Sequence, residues 1–250
     1  MIKRKAFTLA EVLITLGVIG IVAAMTIPVL FSNINNAKFR NQYKKAISTL
    51  NQAGLMAQAK YGYNYAGTTE ACPSDVTTAA NQHPDEVMTF CAILNGTLTG
   101  FTVQGKVGDI ERMEKGQYVG TYSLVKKDTI KDDYLNYMAY SLADGTLIAF
   151  DPEAKGCELA IGNRIVQEMF SGTVNGTNLS HCLGFIDVNG VTLPNTEVSC
   201  STGKNEVTAD AGCVVYNNSA HMTDVFPIVF HDATVEPASG AARYILDSTK

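Results

Sequence analysis

The sequence has no cysteine before residue 72 and no C-x-x-C pair, although it holds six cysteines in all. Zinc sites usually bring their ligands in such close pairs, so that class of metal centre is set aside. No G-x-S-x-G, H-E-x-x-H or phosphate-loop sequence occurs, and His83, His181, His221 and His231 are scattered. Nothing therefore marks a hydrolase, a metallopeptidase or a nucleotide site, and the chain reads as a non-enzyme. Charge is scarce too, at 17% of residues with a net value of -5. Nucleic acid is not indicated as a partner, because phosphate backbones call for clustered Lys and Arg. Internal repeats and low-complexity tracts are also lacking.

One stretch lacks charge altogether. Residues 12–31, VLITLGVIGIVAAMTIPVLF, run uncharged for roughly 20 residues, the length at which a helix crosses a hydrocarbon core. Lys3, Arg4 and Lys5 stand before it, a group expected to stay cytoplasmic. Lys38, Arg40, Lys44 and Lys45 follow it, so charge counting alone does not orient the chain. The cysteines do. Cys72, Cys91, Cys157, Cys182, Cys200 and Cys213 read as three disulfides made in an oxidising compartment, which places everything beyond the span outside. Several connectivities are open. The reading adopted joins 72 with 91, 157 with 182 and 200 with 213, because each pair closes a Gly-, Asn- and Thr-rich loop without a core of its own. A bonded Cys182 also removes His181 and Cys182 as a thiol catalyst.

Glu11 lies at the front edge of the span. A charge at the centre of a membrane helix costs about 2.5–3.5 kcal/mol by insertion scales, and less near the interface. No Lys or Arg lies within the span to pair with it. A cut between Ala6 and Phe7 would create an ammonium at Phe7, and the ammonium of a neighbouring copy would then pair with Glu11 and set the register of one subunit on the next.

The segment KRKAFTLAEVLITLGVIGIVAAMTIP resembles the prepilin leader and first helix of type IV pilins and type II secretion pseudopilins. The resemblance implies removal of a short basic leader by a prepilin peptidase and N-methylation of the new terminus, here Phe7. Thr8, Leu9 and Glu11 fall in register with the family pattern, as do Gly20 and Pro28 later in the helix; Ala6 stands where the family usually has glycine. It also implies packing of the apolar helices into a pilus or pseudopilus, with other pilin-like subunits, the peptidase, an assembly platform and the inner membrane as partners. Pro28 lacks an amide hydrogen and is expected to kink the helix or melt it locally.

Beyond the span, Tyr43, Ala46, Ile47, Leu50, Ala53, Gly54 and Ala57 recur at intervals of three and four, the stripe of a helix docked on a core. YGYNYAG then ends it. The implied organisation is a leader over 1–6, a transmembrane assembly helix over 7–31, its amphipathic continuation over 32–61 and an extracytoplasmic head over 62–250. In the head, residues 137–151 read as a hairpin turning at Asp144-Gly145. Further strands are expected at 117–125, 183–188, 225–231 and 242–246, with helical turns around 85–94 and 161–170. The fold class expected is α+β: a long amino-terminal helix on an antiparallel sheet with disulfide-stapled loops.

No cofactor is called for, with one exception. Asp187, Asn189, Asn195 and Asp224 offer oxygen ligands for calcium, and the resemblance to pseudopilins, some of which hold calcium near the sheet, adds to that reading. The full EF-hand spacing is missing, and Asp-x-Asn-Gly also reads as an ordinary turn. Two functions follow: a filament subunit, or an uncleaved, signal-anchored protein whose head captures a ligand. Nothing in the sequence separates a major pilin from a minor one or from a pseudopilin.

Overall fold

The computed structural model describes residues 8–159, 181–207, 212–216 and 223–248. Its first element, α1 (Leu9–Tyr61), runs 53 residues as one helix, unbroken at Pro28. It stops at Gly62, whose φ of 82° is the left-handed conformation that a residue without a Cβ adopts at least cost, and whose N–H donates to the Gln58 carbonyl. Every residue of the expected stripe is buried: Tyr43, Ala46, Ile47, Leu50, Ala53, Gly54 and Ala57.

Two short helices follow, α2 (Val76–Ala80) and α3 (Phe90–Thr97), capped by the side chains of Asp75 and Thr89. The expected turns at 85–94 thus resolve into a helix that begins later. The strands are β1 (Thr102–Lys106), β2 (Glu111–Glu114), β3 (Gln117–Thr121), β4 (Met138–Ser141), β5 (Leu147–Phe150), β6 (Leu183–Asp187), β7 (Val225–His231) and β8 (Thr234–Pro237). Six form an antiparallel sheet in the order β1-β4-β5-β6-β7-β8, while β2 and β3 make a separate hairpin. The β4–β5 hairpin turns at Asp144-Gly145, where Thr146 N–H donates to Asp144 Oδ1 and Gly145 has a φ of 86°.

The sheet is covered on both faces. Ile148 and Phe150 join the core beneath α1, whereas their neighbours Leu147 and Ala149 join a second core with Tyr122, Tyr134, Tyr137 and Phe185. That division follows the period of two along a strand and explains why β5 reads LIAF without alternation. Tyr43 of α1 stacks on Phe226 of β7 with ring centroids 4.2 Å apart. Gly54 lets α1 touch the β7–β8 turn: a Cβ there would lie 2.6 Å from the Ala233 carbonyl oxygen.

One strand expectation is corrected. Residues 242–246 lie within α4 (Gly240–Asp247), where Ser239 accepts the Ala242 N–H as cap, and Ala241, Ala242 and Ile245 form the buried face. A five-residue apolar alternation is too short to distinguish the two periods, and Ser239 decides for the helix. The expected turns at 161–170 lie outside the described residues. Disulfides join Cys72 to Cys91, Cys157 to Cys182 and Cys200 to Cys213.

Candidate assembly segment and head polar cluster

The first turn of α1 gives Glu11 a partner that the sequence reading did not foresee. Thr8 N–H and Oγ1–H both donate to Glu11 Oε2 at 2.9 Å, and Glu11 N–H donates back to Thr8 Oγ1 at 3.3 Å. This reciprocal capping box supplies acceptors to donors that a helix start leaves free. T-x-x-E was its signal, visible as Thr8-Leu9-Ala10-Glu11. Beyond it, Leu9–Ile27 is long and apolar enough to cross a membrane, with a mean hydropathy of 2.2 and none of it buried against the head. Gly20 is part of this bare surface, with no atom within 4 Å of where its Cβ would stand. Ala6 and Phe7 lie outside the described residues, as do the side-chain surroundings of Pro28.

A helix that is apolar and unburied over Leu9–Ile27, opens on the Thr8–Glu11 cap and ends as the spine of a disulfide-bonded head is the setting for one comparison. Residues 1–27 match the prokaryotic N-terminal methylation motif. The chain carries a prepilin-type signal. Proteins bearing it are structural rather than enzymatic, and around it the α+β head is pilin-like in arrangement. The searches of curated proteins and of solved structures returned no match.

In the head, the sheet brings together the four residues singled out for calcium, three of them fully buried. Asp187 ends β6, Asp224 directly precedes β7, and Asn195 lies on the segment beside them; all three are fully buried. Tyr122 Oη–H donates to Asp187 Oδ2 at 2.7 Å and Asn189 N–H to Oδ1 at 3.0 Å. Asp224 accepts Thr196 N–H at 2.7 Å and Asn195 N–H at 3.0 Å. Burial, with the Asp224 charge nearby, raises Asp187 well above the usual carboxylate range, and burial lifts Asp224 to about 6. Asn195 Oδ1 is buried without a hydrogen-bond partner. Two desolvated carboxylates beside an orphaned amide oxygen suit a hard cation, although calcium takes six to eight oxygens and carbonyls or water would have to complete the set. Asn189 is only half-buried; its Nδ2 donates to the carbonyls of Thr192 and Leu193, and its side chain also hydrogen-bonds Asp224.

Glu197, which the sequence reading missed, is fully buried and accepts the N–H groups of Asp128, Thr129 and Ile130. Its carboxylate holds a loop almost 70 residues away in sequence, so no local spacing announces it. Burial raises its pKa while those three N–H groups oppose the shift. The described histidines stay apart: His83 contacts Asp85, His181 contacts Asp151 and His231 contacts Asp232. Among the described residues, no group of three or more His, Cys, Asp or Glu side chains is placed to hold a metal.

Proposed function

We propose that this chain is a pilin-like structural subunit that is cut after Ala6 by a prepilin peptidase, methylated on Phe7 and assembled through α1 into a pilus or secretion pseudopilus. The observation that carries the reading is the methylation motif over residues 1–27, set on a helix that is apolar and unburied over Leu9–Ile27. Glu11 leaves its cap with Thr8 to accept the ammonium of the next subunit, a contact in which both partners are charged, whereas the donors it replaces are neutral. Gly20 leaves room for close helix approach, and Pro28 is where α1 loosens on packing. The head faces the outside of the inner membrane, where its disulfides persist. Terminal mass spectrometry on protein from native membranes tests this. A chain starting at N-methylated Phe7 is expected; an intact leader would support the signal-anchored alternative, which the Thr8 cap makes tenable because it satisfies Glu11 without any neighbour.

A second proposal concerns the head: Asp187, Asp224 and Asn195 form the protein part of a calcium site. Its support is the orphaned Asn195 Oδ1 beside two buried carboxylates. Calorimetric titration of the full chain in detergent should show saturable calcium binding that Asp187→Asn abolishes.

A further inference from the structure

Basic residues are usually concentrated on the cytoplasmic side of a span, yet between residues 33 and 61 every charged residue is cationic: Lys38, Arg40, Lys44, Lys45 and Lys60. The head uses some of them. Lys44 Nζ donates to the Ser248 carbonyl, Lys45 pairs with Asp144 at 2.8 Å, and Lys60 sits over the Tyr61 ring. Lys38 and Arg40 are different. Neither has a hydrogen bond or ion pair among the described residues, and the Arg40 Nε and Asn36 Nδ2 donors are shielded yet unpartnered. Asn36 and Arg40, one helical turn apart, line a notch at the foot of the head with Tyr216, Thr223 and Phe226. Tyr216 is 53% exposed there.

Height above the span identifies what meets this notch. At about 1.5 Å per residue, Asn36 lies about 7.5 Å beyond Phe31, the last residue of the apolar run. The polar layer on each side of a hydrocarbon core is about 5–7 Å deep. Arg40 and Lys38 start higher, but helical side chains lean toward the N-terminus, here toward the membrane, and long basic side chains snorkel into that layer. An exposed tyrosine with an apolar body and a polar tip belongs at the same level.

We infer that the foot of the head, formed by Asn36, Arg40 and Tyr216, together with Lys38 on another face of α1, docks on the phosphate headgroups of anionic phospholipid in the outer face of the membrane. The inference rests on the membrane-anchored part of the proposed function and not on filament assembly. Two unpaired cations within snorkelling reach of the headgroups give a preference for anionic over zwitterionic lipid of about fivefold each. A headgroup held in this way steadies the subunit on the bilayer before extraction.

The chain has no tryptophan, so Tyr216→Trp provides a single reporter. The full chain carrying it is reconstituted in phosphatidylcholine vesicles with about a third phosphatidylglycerol, with either lipid brominated near the glycerol end of its chains. Quenching per brominated lipid is expected to be at least about threefold stronger from phosphatidylglycerol, to fall to parity in Lys38→Gln/Arg40→Gln, and to weaken with salt. Equal quenching by the two lipids in the Tyr216→Trp chain with Lys38 and Arg40 intact, or quenching that follows protein density and not lipid type, would overturn the inference and assign the notch to a second copy. Loss of the preference on adding inorganic phosphate to phosphatidylglycerol vesicles at constant ionic strength would likewise overturn it in favour of free phosphate. Resistance to carbonate extraction is measured on the same vesicles: protein that washes off refutes the membrane anchor itself, whereas anchored protein without lipid preference refutes only the docking.

Discussion

At Glu11 two partners compete for one carboxylate. Within a single chain it caps its own helix through Thr8, and in a filament it would take the ammonium of a neighbour. Glu11→Ala is expected to leave membrane insertion intact and to reduce assembled filaments at least tenfold, read by shearing and immunoblot; undiminished filaments would remove Glu11 from the assembly mechanism. Thr8→Val separates the roles. It removes the cap hydroxyl, at a cost of about 1 kcal/mol to the helix start, and should spare assembly if the intersubunit pair is what matters.

The buried carboxylates make a pH prediction whose sign follows from their direction. Asp224 rises from 3.8 to about 6 on folding, and Asp187 and Glu197 rise as well. Folding thus favours their protonated forms. The stability they contribute is fully present below the unfolded values near 4 and is lost as pH climbs through the folded ones. For Asp224 the difference is of order 3 kcal/mol. In calcium-free buffer the melting temperature of the head should fall between pH 4.5 and 7, and Asp224→Asn should flatten that fall. A flat wild-type profile would contradict the assigned burial.

At the scale of elements, the docking of α1 depends on Gly54. Any side chain there collides with the Ala233 carbonyl and the Tyr65 ring, both held in place, since Tyr65 Oη–H donates to the Leu50 carbonyl. Gly54→Val should destabilise the head by about 2–3 kcal/mol through forced separation of helix and turn, measured by chemical denaturation. The α4 cap is a milder case. Ser239→Ala should cost about 1 kcal/mol, and a change within error would mean that packing of Ala241 and Ile245 alone holds that helix.

Across the whole molecule, three disulfides close loops with sequence separations of 19, 25 and 13. Chain-entropy arguments place each near 3 kcal/mol, with a spread set by strain and by residual structure in the unfolded chain. Replacing Cys157 and Cys182 together by Ser should therefore lower the denaturation free energy by about that amount. Bonds of this kind persist in an oxidising compartment, the setting that the proposed function gives the head.

The amino-terminal pattern, the buried stripe of α1 and the Asp144-Gly145 hairpin were legible in the sequence because each is a local repeat or a turn with its own chemistry. Disulfide pairing of near neighbours could be read because successive cysteines close short loops, with separations of 19, 25 and 13. Strand 242–246 was misread because five residues cannot separate a period of 2 from one of 3.6. What only the tertiary structure decided was which polar groups meet. Glu197 finds the 128–130 amides, Asp187 finds Tyr122 and Asp224, and Arg40 Nε finds no partner among the described residues. Those outcomes depend on contacts between residues distant in the chain, whose energies are set by burial and not by the spacing that a sequence displays.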